Sequence, residues 1–211
     1  SANFALTLKE LTASFEAQHK VEVQVISAAT GTLYQQIKHG APFDLFLSAD
    51  SQRPEKLVQE DFAIAHSITP YAIGQLSFYS EKYPNLSFEQ YCTQPENFGR
   101  LAIANPKFAP YGIAARQTLQ FKRIWKKIHQ SLILGININQ TFQQVRSQAA
   151  TVGIVATSQL LQHNLTHHPI PLDHYQPIVQ KAVILRSSKN AESAEQFINY
   201  LTSDKVQQHL A

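Results

Sequence analysis

The sequence is poor in the residues that mark several common classes of protein. Its single cysteine, Cys92, excludes an intramolecular disulfide and a cysteine-based zinc site. Charged residues make up only 16% of the chain and hydrophobic residues 44%, a composition that argues against a disordered or fibrous protein. No apolar run approaches the roughly 18 residues that a membrane span requires, so we expect a soluble protein.

Neither the net charge nor the N-terminus defines a partner or a compartment. Eighteen Lys and Arg against fifteen Asp and Glu leave a charge of +3, which suits an anionic ligand without requiring nucleic acid. Residues 1–4 have neither the basic nor the apolar region of a secretion signal. A processed exported protein would look the same as a cytosolic one here.

Helical and strand patterns alternate along the chain. Residues 4–18 carry apolar side chains at helical spacing, with Asn3 where the N-cap would lie. Residues 21–25 alternate valine with polar side chains, which predicts a half-buried strand ending at Ser27. Residues 43–47 form a nearly continuous apolar run, typical of a strand covered on both faces. Because the alternation continues to the C-terminus, the sequence predicts an α/β fold.

Four predicted helix starts carry small, hydroxyl or amide side chains. The first turn of a helix leaves backbone N–H groups unpaired, and the helix dipole adds a partial positive charge, so such ends attract oxyanions. Ordinary capping accounts for any one of these starts taken alone, and periodicity does not show that they converge. They lie at Asn3, at residues 29–32, at residues 110–112 and at residues 137–139.

An eleven-residue block carries a resemblance to a known family. Residues 40–50 read Gly-Ala-Pro-Phe-Asp-Leu-Phe-Leu-Ser-Ala-Asp, and this block resembles the Gly-Ala-Pro-x-Asp-x-Phe-x-Ser-Ala-Asp segment of the periplasmic molybdate-binding proteins, the substrate-capturing components of ABC transporters. A Gly-Thr-Leu-x-x-Gln-Ile segment precedes it at residues 31–37, as in that family. Further segments follow in family order, so the resemblance covers essentially the whole chain: residues 99–103, 105–106, 110–112, 152–155 and 188–190.

The resemblance implies a two-lobed periplasmic-binding-protein fold. One lobe would comprise residues 1–72 plus 181–211, and the other residues 73–180. Two crossover strands, near residues 73–80 and 180–187, would form the hinge, and the ligand would bind in the cleft between the lobes. The family begins with an apolar strand before its first helix and ends on an aromatic-glycine segment; both are missing here, and we expect the sequence to be trimmed.

The resemblance also places the ligand contacts, with departures. The family's two serines fall on Asn3 and Thr30, and its two backbone N–H donors fall on Tyr111 and Ile138. A tyrosine whose hydroxyl binds the ligand in the family falls on Ala156, which has no donor in its side chain. We hypothesise that the Tyr111 hydroxyl replaces it; the alternative is that Tyr111 points outward and the pocket has diverged.

The implied function is capture of a tetrahedral oxyanion, molybdate or tungstate, for the membrane permease of an ABC transporter. The protein would be periplasmic, or extracellular and tethered to the membrane. It would be a monomer and not an enzyme, with no catalytic residue, cofactor or nucleic-acid partner. The metal would arrive only as its oxyanion, without side chains that bind a bare cation.

Two alternatives to this function stay open. One is the effector-binding domain of a transcriptional regulator, which shares the two-lobed fold and needs a DNA-binding helix-turn-helix ahead of residue 1. The other is a divergent binding protein for another small anion such as sulfate, which has the same charge as molybdate and no proton, so that only pocket size excludes it.

Other residue groups have simpler interpretations than a site. Histidines at positions 163, 167, 168 and 174 lie in a Pro-interrupted stretch, so we expect a solvated loop and not a metal site. Residues 122–128 predict an amphipathic helix with a basic outer face and not a nucleic-acid surface. Ser48, Asp50 and His66 lack the motif of a hydrolase nucleophile. Cys92 has no motif partner, which predicts an inert thiol.

Overall fold

The chain divides into two units. The computed structural model describes residues 2–210, apart from the side chains of Leu6, His209 and Leu210. Unit 1 comprises Ser1–Ile73 and Val179–Ala211, and unit 2 comprises Gly74–Ile178. In the described part of the chain, no helix is both long and apolar enough to cross a membrane.

The helices and strands alternate for most of the chain. In chain order they are α1 (Ala5–His19), α2 (Thr30–Lys38), β1 (Leu45–Ser48), α3 (Gln52–Gln59), β2 (Thr69–Gly74), β3 (Leu76–Tyr79), α4 (Phe88–Thr93), β4 (Leu101–Ala104), α5 (Pro110–Phe121), α6 (Trp125–Ile128), β5 (Ile133–Gly135), α7 (Ile138–Arg146), β6 (Val152–Ala156), α8 (Thr157–Gln162), β7 (His168–Pro169), β8 (Ile178–Ile184), α9 (Ala191–Leu201) and α10 (Asp204–Leu210). The predicted α/β fold is confirmed.

Unit 1 is built on a three-stranded sheet in the order β1-β8-β2. Strand β1 is antiparallel to β8, with Leu45 opposite Ile184 and Ser48 opposite Lys181. Helices α1 and α9 pack together over the core, where the rings of Phe15 and Phe197 meet edge to face. Strands β2 and β8 also carry the chain between the units, because the units divide next to Gly74 and Ile178.

Unit 2 is built on a five-stranded sheet in the order β5-β4-β6-β3-β7. Strands β5, β4 and β6 run parallel, whereas β3 is antiparallel to β6 and β7. Strand β4 is fully buried, consistent with its continuous apolar sequence. The three parallel strands therefore end at the same edge of the sheet.

The prediction of a strand over residues 21–25 is wrong, although the side chains there do alternate between half-buried and exposed. The valines there are half-buried against the core of unit 1, and the residues between them are exposed. The segment nevertheless has no strand conformation, and among the described residues no strand pairs with it. Its Val23 N–H donates to the Glu16 side chain at 2.6 Å, and the segment lines a cavity of about 680 Å³ together with β1. Side-chain burial thus follows the sequence pattern where backbone pairing does not.

Two predictions about helix ends also require correction. Asn3 is not the N-cap of α1; it lies in a 3₁₀ turn, Ala2–Phe4, and Phe4 occupies the cap position without a side-chain hydrogen bond. The helix predicted over residues 122–128 is interrupted, because α5 ends at Phe121 and Arg123 adopts a left-handed backbone with φ of 59°. Ile124 and Ile128 are still buried, as the amphipathic pattern predicts.

The unpaired state of residues 21–26 predicts rapid amide hydrogen exchange. Because exchange protection requires a stable hydrogen bond, amides of this segment other than Val23 should exchange much faster than those of β8, the central strand of the same unit. Exchange measured by mass spectrometry or NMR on this 211-residue chain checks the expectation. Protection equal to that of β8 would show that the segment pairs as a strand.

Candidate ligand-binding site

Three helix starts gather at one edge of the unit 2 sheet. Helices α5, α7 and α8 follow the parallel strands β4, β5 and β6, and α7 and α8 begin within three residues of the strand before them. Because those strands end at the same edge, the N-termini of the three helices point to the same region of unit 2. Predicted site residues lie at two of these starts, Tyr111 in α5 and Ile138 in α7.

Helix α5 places Tyr111 against the segment where the chain enters unit 2. Pro110 opens the helix, no side chain caps its first turn, and Tyr111 is 3% exposed. A Cβ atom added at Gly74 would lie 2.4 Å from the Tyr111 hydroxyl oxygen and 3.1 Å from Ile178. The side chain is therefore buried at the point of entry and exit of unit 2, and the alternative that Tyr111 faces outward is wrong.

Gly112 allows this close approach of α5 to the sheet. A Cβ atom at Gly112 would lie 2.1 Å from the carbonyl oxygen of Ala104, the last residue of β4. Only a residue without a side chain lets the first turn of α5 pack directly on the strand end. Gly74 and Gly112 thus fix where Tyr111 lies; the sequence pattern placed Gly112 at a helix start and gave no role to Gly74.

The start of α7 is anchored by two amide side chains. Asn137 is the N-cap, and its side chain accepts a hydrogen bond from the Gln140 N–H at 2.9 Å, as the helix-start pattern indicated. Gln159 of α8 donates to the Asn139 side chain at 2.7 Å and accepts from the Ala156 N–H at 3.2 Å. Gln159, which the sequence analysis overlooked, therefore ties the starts of α7 and α8 together.

Ala156 leaves no hydroxyl at the end of β6. It is fully buried, and its N–H is engaged by Gln159. It lies opposite Leu76 across the β3–β6 pair. Leu76 is two residues after Gly74, which lies against the Tyr111 hydroxyl. The Tyr111 hydroxyl, which approaches this edge, thus comes from α5 and not from Ala156.

In unit 1, Thr30 is fixed to the end of β1. It is the first residue of α2 and is 1% exposed. Its hydroxyl oxygen accepts a hydrogen bond from the Ala49 N–H at 3.2 Å, and no side chain caps the first turn of α2.

Asn3 is the second predicted site residue of unit 1, and its side chain is buried. Its amide nitrogen donates to the Gln180 side-chain oxygen at 2.8 Å. Gln180 lies on β8 and is 3% exposed, and the Tyr71 hydroxyl from β2 approaches the same oxygen at 3.2 Å. Gln180 and Tyr71 were not found from the sequence, because partners so distant along the chain leave no local pattern.

The residues considered for a hydrolase do not form a catalytic arrangement. The Ser48 hydroxyl donates to the Asp50 carboxylate at 3.1 Å, and that carboxylate accepts from the Arg53 N–H at 3.0 Å and pairs with the Arg53 side chain. Asp50 thus stabilises the start of α3, and no hydrogen bond links Ser48 to an imidazole among the described residues. The Ser48 hydroxyl also accepts from the Asp50 N–H at 3.2 Å, so both residues serve the local turn before α3.

The basic segment after α5 is partly neutralised. Lys122 pairs with Glu89, and Lys127 pairs with Glu96 at 2.7 Å. Carboxylates therefore lie beside two of the cations of this segment.

The histidines and the cysteine are engaged in ordinary packing. The His163 ring stacks on Phe142, and the His174 ring stacks on Phe121. In the described ranges, no three His, Cys, Asp or Glu side chains gather as a metal site requires. Burial raises the pKa of the Cys92 thiol to about 12, so little thiolate exists at neutral pH.

The whole chain is similar to known binding proteins. The family model of bacterial extracellular solute-binding proteins matches residues 1–211. The molybdate-binding protein ModA of Azotobacter vinelandii is 38% identical over 98% of this chain and 83% of its own length, and that of Rhodobacter capsulatus is 34% identical over 98% and 82%. The solved structure of the Azotobacter vinelandii periplasmic molybdate-binding protein superposes with a TM-score of 0.92 at 34% identity, covering 98% of this chain and 92% of that one.

The contact between Gly74 and Tyr111 predicts a coupled effect of substitution. Gly74→Ala should destabilise the protein by about 1–3 kcal/mol, because the new methyl group overlaps the Tyr111 hydroxyl. In a Tyr111→Phe background the cost should fall, since the nearest atom is gone. Urea unfolding of the two single variants and the double variant measures the coupling. Additive costs would show that the hydroxyl does not lie against Gly74.

Proposed function

Because the chain belongs to the family of bacterial extracellular solute-binding proteins, we propose that it captures a tetrahedral oxyanion, molybdate or tungstate, for an ABC transporter. The observation that carries the proposal is the gathering of helix starts at one sheet edge of unit 2, with Tyr111 and Ile138 at two of them. The relatives named for molybdate binding, at 34–38% identity over nearly the whole chain, support the same ligand.

The proposed donors suit a dianion that carries no proton. Asn3 and Thr30 donate from an amide and a hydroxyl, Ile138 from its backbone N–H, and Tyr111 from its backbone and its phenol. Molybdate and tungstate offer only acceptors, so neutral donors satisfy them. A protonated phosphate needs an acceptor for its own hydrogen and should bind less well. Sulfate carries no proton either, so its exclusion rests on the size of the pocket.

The energetic demand is within reach of this donor set. A hydrogen bond to a charged group contributes roughly 1.5–3 kcal/mol, and a micromolar site needs about 8 kcal/mol. With Ala156 unable to donate from its side chain, losing one donor of five would weaken binding about tenfold or more. The Tyr111 hydroxyl compensates for that loss in our proposal, and its burial against Gly74 supports this role.

Each unit supplies half of the donors in this proposal. Asn3 and Thr30 belong to unit 1, and Tyr111 and Ile138 belong to unit 2. We propose that the ligand binds between the units and that closure is a hinge motion at the two places where the chain crosses, beside Gly74 and Ile178. Binding energy then favours the closed arrangement, because only that arrangement brings all four residues to one anion.

The proposal places the protein in the periplasm as a monomer that delivers its anion to a membrane permease. It assigns the protein no catalytic step, cofactor or nucleic-acid partner. The pairing of Lys122 and Lys127 with glutamates supports the last point. The named relatives are binding proteins, and this favours transport over the effector domain of a regulator.

Titration against a panel of oxyanions tests the function. At a hundredfold excess over the dissociation constant, a ligand that binds only the folded state adds about 2.7 kcal/mol of stability. For a chain of this size that energy raises the melting temperature by about 5–10 °C if both units unfold together, and by about 10–20 °C if each unit unfolds separately. Molybdate and tungstate should produce the shift, and phosphate should not. A shift with sulfate alone would favour the divergent-anion alternative, and no shift with any anion would reject the function.

Removal of the Tyr111 hydroxyl tests the compensation. Tyr111→Phe should weaken molybdate binding about tenfold, since one hydrogen bond to a dianion is lost. Tyr175→Phe is a matched control, because its hydroxyl accepts from the Leu76 N–H at 3.1 Å and so serves the fold of the same unit. Calorimetric titration of both variants makes the comparison. Unchanged affinity in Tyr111→Phe would remove the hydroxyl from the site.

A further inference from the structure

One peptide group in unit 1 connects the two proposed donors of that unit. The peptide group between Ser48 and Ala49 donates its N–H to the Thr30 hydroxyl at 3.2 Å. Its carbonyl oxygen, which belongs to Ser48, accepts from the Tyr71 hydroxyl at 3.2 Å. The peptide lies at the end of β1, where Ser48 is opposite Lys181 of β8. A single rigid group therefore holds Thr30 on one side and Tyr71 on the other.

Gln180 continues this network to Asn3. Its side-chain oxygen accepts from the Asn3 amide at 2.8 Å and lies 3.2 Å from the Tyr71 hydroxyl. All three residues are buried, with Tyr71 2% and Gln180 3% exposed. In such surroundings a hydrogen bond is strong, and a lost partner is costly. The orientation of the Asn3 amide is thus set by Gln180 rather than by solvent.

The orientation of that amide decides whether it attracts or repels an anion. An amide presents a donor on one side and an acceptor on the other. If the amide rotated, its carbonyl oxygen would face the anion in place of the N–H group, and an attraction would become a repulsion. A free side chain would also lose rotamer entropy on binding, at about 0.5–1.5 kcal/mol for an immobilised side chain.

We infer that Gln180 and Tyr71 are positioning residues that orient the Asn3 amide toward the oxyanion and couple it to Thr30 through the Ser48–Ala49 peptide. The inference rests on the proposed function. Gln180 acts on affinity through Asn3, and the single hydrogen of the Tyr71 hydroxyl is shared between the Gln180 side-chain oxygen and the Ser48 carbonyl oxygen.

A double-mutant cycle tests whether Gln180 acts through Asn3. Gln180→Leu removes the acceptor and keeps the size, and it should weaken molybdate binding about three- to tenfold, the range of one hydrogen bond. In an Asn3→Ala background the same substitution should change affinity less than twofold, because no amide is left to orient. Isothermal titration calorimetry with sodium molybdate on the four proteins measures the cycle.

Gln207→Leu is the matched control for the loss of a glutamine near Tyr71. The Gln207 side chain donates to the backbone oxygen of Tyr71 at 3.1 Å and not to its hydroxyl. The Gln207→Leu substitution should therefore lower the melting temperature of the unliganded protein without changing its affinity for molybdate. Tyr71→Phe should weaken molybdate binding when Asn3 is present. In the Asn3→Ala background the same substitution should have no further effect on binding.

The outcomes separate the inference from the proposed function. Binding by the unsubstituted protein with a coupled cycle supports both. Binding with additive effects of Gln180→Leu and Asn3→Ala overturns the positioning role and leaves the function intact. An equal loss of affinity in Gln207→Leu would show a general loss of structure and would also overturn it. Failure of the unsubstituted protein to bind molybdate or tungstate would overturn the function, and the role with it.

Discussion

The structure depends on the N-termini of helices that follow strand ends. In unit 2 the parallel run of β5, β4 and β6 forces the starts of α5, α7 and α8 to one edge. Such ends carry partial positive charge without a lysine or arginine. In the proposed site, neutral donors would bind the anion without a cationic side chain, which would attract anions of any shape. The contact of Gly112 with the end of β4 shows how closely helix and strand must approach for this arrangement.

Glutamine side chains have the same structural role in both units. Gln159 ties the starts of α7 and α8 together, and Gln180 joins Asn3 to Tyr71. Gln159 accepts with its oxygen and donates with its nitrogen, whereas Gln180 accepts both of its bonds with the oxygen, so in each case one side chain fixes two neighbours. Both residues are buried and bridge elements that are distant along the chain or follow different strands. In each unit a buried glutamine thus joins elements that carry or adjoin the proposed donors.

Local pattern predicted most helices and the buried strands, because side-chain periodicity and capping residues act within a few positions. Asn137 capped its helix as expected, and the apolar run after Pro42 became β1. Pairing was harder: residues 21–25 alternate correctly yet have no strand partner among the described residues. Asn3 also failed as a cap, since a 3₁₀ turn precedes α1. Gln180, Tyr71 and Gly74 were not predicted because their contacts join positions far apart in the sequence.

The position of the bound anion tests the central claim most directly. Crystals of the chain grown with molybdate, measured at the molybdenum absorption edge, locate the metal without reference to the protein. We expect the anomalous peak within hydrogen-bonding range of the Asn3 amide, the Thr30 hydroxyl, the Tyr111 hydroxyl and the Ile138 N–H. A peak elsewhere on the chain, or a bound molybdate contacted mainly by lysine and arginine side chains, would contradict an anion site made from neutral donors at helix starts.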